Sequence, residues 1–202
     1  MDADLVMVGG GLSGLVVATE VAQRGKRVLL LEQEPYLGGQ AFWSFGGLFL
    51  VDSPEQRRLG VRDSVELAFQ DWMGAAGYDR EEDYWGRRFA EAFLVIVRGP
   101  PRATRARTRV PFFPVVGWAE RGGGLATGHG NSVPRFHIVW GTGPGLLAPF
   151  LRKVEALKAE GTLRVLLRHR VEEVLVEGGK AVGVAGVVLE EDPKPRGAPT
   201  SR

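Results

Sequence analysis

The chain has 202 residues, 44% of them hydrophobic, with 26 basic side chains against 24 acidic ones and no cysteine. This is the composition of an ordinary globule, long enough for one large domain or two small ones. Disulfides, thiolate metal sites and a redox-active cysteine pair are excluded, and no run of about eighteen uncharged apolar residues marks a membrane-spanning helix.

The first forty residues carry the strongest pattern. Asp4 to Val8 reads as a strand, Gly9-Gly10-Gly11-Leu12-Ser13-Gly14 as a glycine turn, the run to Arg24-Gly25 as a helix, and Arg27 to Leu31 as a second strand ending in Glu32. Strand, glycine turn, helix, strand and acid in this order form the βαβ fingerprint of a dinucleotide site. Gly9 allows the tight turn, Gly11 lets the backbone approach a pyrophosphate, and Gly14 lets the helix lie close to the sheet. The phosphates then meet the unpaired N–H groups and positive dipole end of a helix N-terminus. Glu32 can accept both hydroxyls of an adenosine ribose and would repel a 2′-phosphate, which points to FAD or NAD over NADP.

Leu12, Leu15, Val16, Ala18, Thr19, Val21 and Ala22 give the first helix a small apolar face, and Gly25 is placed as its left-handed cap. Val28 to Leu31 is apolar on both faces, as expected of a central parallel strand with helices on each side. A second glycine-rich stretch, Gly38 to Gly47, again permits close approach of backbone to a ligand.

From Ser53 the pattern becomes helical, with Ser53 as N-cap and Pro54 at the first position. Further amphipathic helices are expected over Asp63–Met73 and Asp83–Phe93, with Trp72, Trp85, Phe89 and Phe93 packed in a core between them. Leu94 to Pro111 has neither helical nor strand periodicity and its prolines break both, so it reads as a loop. It contains Arg98, Arg102, Arg105, Arg107 and Arg109 with no acid, but no interleaved aromatics, which argues against a nucleic-acid partner. A helix from about Leu146 to Glu160 follows Thr142-Gly143-Pro144-Gly145, then a strand Leu163–Leu167. Arg170–Val176 and Ala181–Leu189 read as a hairpin around Gly178-Gly179. The tail after Glu191, rich in proline, reads as irregular.

With these pieces laid out, the sequence resembles the flavoprotein subunit family of fumarate reductase and succinate dehydrogenase, which includes 3-ketosteroid dehydrogenases. The resemblance rests on Val8–Leu15 with Leu31-Glu32, on Gly38-Gly39-Gln40-Ala41 with Ser44-Phe45-Gly46-Gly47, and on Gly141–Gly145 followed by Arg170-Val171. It implies an α/β fold: a Rossmann-like FAD-binding domain with a parallel sheet and a β-hairpin, built from residues 1–50 and 141–191. Residues 51–140 would be part of an inserted cap, and 192–202 a mobile tail.

The implied cofactor is FAD. Gly9, Gly11, Leu12, Ser13 and Gly14 would hold its pyrophosphate, and Glu32 with Gln33 the adenosine ribose. Gly38, Gly39, Gln40, Ala41, Ser44, Gly46 and Gly47 would run along the pyrophosphate, ribityl chain and flavin edge, and the Val171 backbone would pair with adenine. The implied reaction is hydride transfer between the flavin and a small-molecule substrate activated by a carbonyl or carboxylate; with no signal peptide or membrane span visible in the sequence, the expectation is a cytoplasmic enzyme without nucleic-acid or membrane partners. Members of the family are usually much longer, and the stretch near 94–110 looks foreign beside its neighbours. A truncated or locally frameshifted reading frame would account for both. Two alternatives remain: a fragment that binds FAD or ADP without turnover, and a small thiazole-synthase-like enzyme.

The candidate acid–base residues are His137 and His129, with Arg135 as a candidate for orienting a substrate carboxylate or carbonyl through its guanidinium fork. No residues have the spacing of a metal site.

Overall fold

The computed structural model describes residues 2–98, 110–118 and 130–191. The chain divides into two compact units, one of Met1–Trp43 with Leu147–Arg202 and one of Ser44–Leu146.

The first unit is built on β1 (Leu5–Val8), α1 (Leu12–Ala22) and β2 (Val28–Leu31). It is completed by the part of α5 (Thr142–Ala159) from Leu147, by β6 (Leu163–Leu166), and by the hairpin β7 (His169–Glu177) and β8 (Lys180–Val188). The sheet is parallel in the order β1-β2-β6, with Leu5 opposite Val28 and Val28 opposite Leu163. Strand alternation sends Val28, Leu30 and Leu163 to one face, where they meet Leu15, Ala18 and Ala22 of α1 and Leu147, Phe150, Val154 and Leu157 of α5. Small residues on α1 let it lie close to the strands, as the sequence predicts.

The other face differs from expectation. Leu29, Leu31, Val6 and Leu166 look onto Val182, Gly183 and Val184 of the hairpin, so among the described residues that side is faced by β-structure. The hairpin itself has the expected two-residue turn: Gly178 and Gly179 both have positive φ (54° and 76°), the geometry that matches the twist of paired antiparallel strands.

The second unit holds the antiparallel sheet β3-β5-β4, made of β3 (Gly47–Phe49), β4 (Phe112–Gly117) and β5 (Phe136–Val139). Among the described residues it is joined by the helices α2 (Pro54–Arg58), α3 (Val65–Ala76) and α4 (Tyr84–Val97). Ser53 caps α2 through a complete capping box with Gln56. Ser64 caps α3, which runs to Ala76 and ends at the left-handed Gly77, three residues beyond the periodicity estimate.

Two corrections concern α4. Leu94–Val97 is helical and not loop, because Leu94 is buried with Val51 and Ala68 and this packing outweighs the prolines that follow. Nor are all the aromatics of this region core. Trp72 packs edge-on against Phe49, Phe89 and Phe93, but Trp85 is 76% exposed and Phe89 60% exposed. The arginine-proline residues 99–109 and the tail 192–202 lie outside the described residues. No helix among the described residues is long and apolar enough to cross a membrane.

Candidate dinucleotide site

In the first unit the turn between β1 and α1 is built from backbone. Gly9 has φ +92° and donates its N–H to the Leu31 carbonyl at 2.8 Å, so β1 stays paired with β2 up to the start of the turn. Gly11 is the N-cap of α1, its carbonyl accepting the first helical bond from Leu15 N–H at 2.9 Å, and no side chain caps this helix. Its first-turn N–H groups therefore point at a surface of positive potential. A Cβ at Gly11 would meet nothing within 4 Å, whereas one at Gly14 would lie 2.0 Å from the Gly9 carbonyl oxygen. The two glycines thus serve different ends. Gly14 is required by the fold, and Gly11 leaves open space directly over a helix N-terminus.

Glu32 is buried at the end of β2 and each of its carboxylate oxygens accepts a backbone N–H, Oε2 from Gly10 at 2.6 Å and Oε1 from Glu34 at 2.8 Å. Its own backbone is tied on both sides, N–H to Leu166 and carbonyl to His169 N–H. The carboxylate is thereby fixed beside the glycine turn, with lone pairs remaining for further donors. Gly10, to which the spacing rule assigns no task, has one here. A Cβ there would lie 2.4 Å from Leu37 Cδ2 and 3.2 Å from Glu32 Oε2. The run of three glycines was the available signal.

The second glycine pair belongs to the same turn. Gly38 N–H donates to the Gly10 carbonyl at 2.7 Å, and a Cβ at Gly39 would come within 3.1 Å of Gly11 Cα. Gln40 and Ala41 follow in a 3₁₀ turn, Gly39–Trp43. Gln33 accepts an Arg168 guanidinium hydrogen at 3.2 Å through its carbonyl. Val171 lies in β7 opposite Gly186, at a shift of register. Ser44, Gly46 and Gly47 fall in the second unit. There Ser44 Oγ accepts the Gly46 N–H at 3.1 Å, and Gly47 sits against the Phe136 ring, which a Cβ would meet at 2.0 Å.

The candidate catalytic side chains of the second unit lie in a closed network. Arg135 is fully buried and forks onto Asp63, Nη2 to Oδ1 at 2.7 Å and Nε to Oδ2 at 2.9 Å, while Nη1 reaches Asp71 Oδ2 at 2.6 Å and Asn131 Oδ1 at 3.2 Å. Asp71 Oδ2 also accepts the N–H and hydroxyl of Ser132, both at 2.8 Å. Burial pushes the Asp71 carboxyl up, but the Ser132 N–H, the Arg135 guanidinium and the Ser132 hydroxyl together hold it below the usual carboxylate range.

His137 is also fully buried, with Nδ1 2.9 Å from the Arg135 carbonyl oxygen and Nε2 2.7 Å from Ser53 Oγ. A carbonyl only accepts, so Nδ1 carries a proton, and in the neutral ring the Ser53 hydroxyl then donates to Nε2. Ser53 and Gln56 extend the network through Gln56 Nε2, which donates to Asp63 Oδ2 at 2.9 Å. Arg135 and His137 are thus brought together as the framework of this unit. Ser53, expected only as a helix cap, completes it with Gln56, Asp63 and Asp71, whose place in this network the sequence did not mark because the partners stand up to 84 residues away. His129 lies outside the described residues, and among these residues no group of side chains is placed to hold a metal ion.

A glycine turn opening onto an uncapped helix, with a carboxylate fixed at the end of the second parallel strand, defines the class: a dinucleotide-binding α/β domain. The chain belongs to the FAD-binding domain family whose model matches residues 4–201. It is 56% identical over 204 residues to a KsdD-like steroid dehydrogenase of Mycobacterium tuberculosis, covering 100% of this chain and 36% of that protein. A KsdD-like steroid dehydrogenase of Mycolicibacterium smegmatis is 53% identical over 203 residues, again covering 100% of this chain but 37% of the relative. This chain therefore spans little more than a third of the length of these relatives.

Among solved structures, a 3-ketosteroid-Δ4-(5α)-dehydrogenase of Rhodococcus jostii superposes with a TM-score of 0.71 at 21% identity, over 92% of this chain and 42% of that one. A flavocytochrome c3 fumarate reductase gives 0.64 at 20% identity, over 93% and 32%. At these identities the likeness shows the fold. The cofactor of the family is FAD, and the thiazole-synthase alternative is not favoured.

Proposed function

We propose that this chain forms the adenosine-diphosphate-binding part of an FAD-dependent oxidoreductase. The observation that supports this best is the open space over Gly11 at an uncapped helix N-terminus, with the fixed Glu32 carboxylate beside the turn. Those residues fit the group: the helix end accepts a pyrophosphate by backbone donors alone, and the carboxylate accepts ribose hydroxyls. When bound, the flavin supplies hydride transfer.

In this reading Gly9, Gly11, Leu12, Ser13 and Gly14 hold the pyrophosphate. Glu32 and Gln33 hold the ribose, and the Val171 backbone the adenine. Gly38, Gly39, Gln40 and Ala41 line the pyrophosphate, with Ser44, Gly46 and Gly47 toward the flavin. Residues 51–140 form the inserted cap region, within which Arg135 and His137 act as positioning residues that hold β5 against α2 and α3. The names of the relatives make a 3-oxosteroid the first substrate class to test, with a carbonyl-activated carbon as the hydride partner.

The visible spectrum of the purified chain is the direct test. Flavin bands that bleach on dithionite titration support an intact FAD site. A colourless, folded protein that binds ADP by calorimetry supports nucleotide binding without turnover. A folded protein that binds neither overturns the reading.

A further inference from the structure

In the first unit β6 passes into β7 through Leu167 and Arg168, and Arg168 has φ +61°. A left-handed position of this kind is ordinarily given to glycine or asparagine, because a Cβ there crowds the neighbouring carbonyl. An arginine in its place carries a steric cost, and both its backbone and its side chain have partners. Its carbonyl accepts the Leu189 N–H at 2.7 Å, and the N–H of the same peptide group, on His169, donates to the Glu32 carbonyl at 2.9 Å. Nε donates to the Glu190 carbonyl at 2.7 Å and Nη1 to the Gln33 carbonyl at 3.2 Å. The Gln33 carbonyl shares a peptide group with the Glu34 N–H, and that N–H donates to Glu32 Oε1 at 2.8 Å. One rigid peptide plane therefore has the guanidinium at one end and the Glu32 carboxylate at the other. Hydrogen bonds in such a chain polarise one another. Flipping the plane would break both bonds and turn the Gln33 carbonyl toward a carboxylate.

We propose that Arg168 is a positioning residue of the adenosine end, a role that rests on the nucleotide reading of the glycine turn. It acts through the Gln33–Glu34 peptide group to set the Glu32 carboxylate for the ribose hydroxyls. Glu32 Oε2 is held from within the turn, by Gly10 N–H at 2.6 Å. Oε1 is held from outside it, by a peptide group between two exposed residues. Packing does little to fix the plane of such a group, and the guanidinium supplies the constraint. Arg168 is itself fixed by Leu189 and Glu190, which follow β8, so the hairpin sets one oxygen of the carboxylate and the glycine turn sets the other. A planar fork suits the task because it can bridge the Glu190 and Gln33 carbonyls together, which an ammonium on a flexible stem does less well.

Two variants of the full chain test this. Arg168→Gly removes the guanidinium and relieves the left-handed backbone, so the urea midpoint should change little. Arg168→Lys keeps the charge and the backbone cost but not the fork. Without nucleotide, amide exchange at Glu34 should quicken roughly fivefold in Arg168→Gly while that at Gly10 holds. Calorimetry should show ADP affinity falling roughly fivefold, with 2′,3′-dideoxy-ADP, which lacks the hydroxyls, bound equally by wild type and variant. Arg168→Lys should recover part of both losses. If Arg168→Gly does not fold, Arg168→Lys carries the comparison, with the same pattern at smaller size. Unchanged exchange at Glu34 overturns the proposal. So does an equal loss of affinity for ADP and for the dideoxy analogue, since a merely structural residue would weaken both. The expected exchange pattern in a chain that binds neither ligand supports the link from Arg168 to Glu32 and overturns the nucleotide reading alone.

Discussion

The two units solve the problem of polar groups in opposite ways. Around Gly9–Gly14 the polarity is backbone: N–H groups of an uncapped helix, held in place by glycines and an apolar core of Leu15, Leu30, Leu147 and Val154, and left open toward a ligand. Around Arg135 it is side-chain charge, fully buried, with Asp63, Asp71, Asn131 and Ser132 closing on the guanidinium. An open set of donors is useful because it is unsatisfied. A buried set is stable to the extent that it is satisfied, and here the guanidinium, both Asp63 oxygens and Asp71 Oδ2 all have hydrogen-bond partners. The first arrangement therefore reads as binding, the second as framework.

Breaking the framework should have the largest effect. Arg135→Met leaves two buried carboxylates without their cation, a change that costs about 3–5 kcal/mol in comparable sites. Urea unfolding should show it as a lower midpoint, and a loss of unfolding free energy below about 1 kcal/mol would mean that Asp63 and Asp71 are solvated in solution.

Next comes the pair of glycines that sharpens the contrast. Gly14→Val drives a Cβ to within 2.0 Å of the Gly9 carbonyl and should destabilise the first unit by about 1–3 kcal/mol or more. At Gly11 an added Cβ meets no protein atom within 4 Å, so Gly11→Ala should hardly move the unfolding midpoint while ADP affinity falls by roughly tenfold or more. If both variants lose stability equally, the space over Gly11 is part of the packing and not a ligand site.

Ser53→Ala removes the α2 cap and the hydroxyl bonded to His137, with an expected loss of about 1–2 kcal/mol by thermal unfolding.

The smallest effect is one of pH. The Asp71 carboxyl is held below its ordinary range when folded. Its contribution is therefore fully present above the unfolded value near pH 4 and is lost as pH falls through the lower folded value. Acid titration followed by tryptophan fluorescence, with Trp72 beside the network, should show the second unit loosening below about pH 4, and Asp71→Asn should flatten that dependence.

Much of the first unit was legible in the chain. The glycine spacing, the small residues of α1, the β2 run and the Gly178-Gly179 hairpin are local patterns, and each led to the element that forms. Elsewhere local pattern failed for physical reasons. The last turn of α4 is held by burial of Leu94 against Val51 and Ala68, which outweighs the breakers beyond it. Trp85 and Phe89 stand exposed although their composition suggested a core.

What the sequence determined by itself is the backbone-built glycine turn, because glycine at positions 9, 11 and 14 and a carboxylate at 32 act through their own short-range geometry. Tertiary structure alone decided that Arg135 and His137 are buried and paired, since their partners come from Ser53, Asp63 and Asp71, and only the fold brings those charges out of water together. It also decided that β1 stands at an end of the sheet order among the described residues. That position in the order β1-β2-β6 of the described residues cannot be read from Leu-Val-Met-Val.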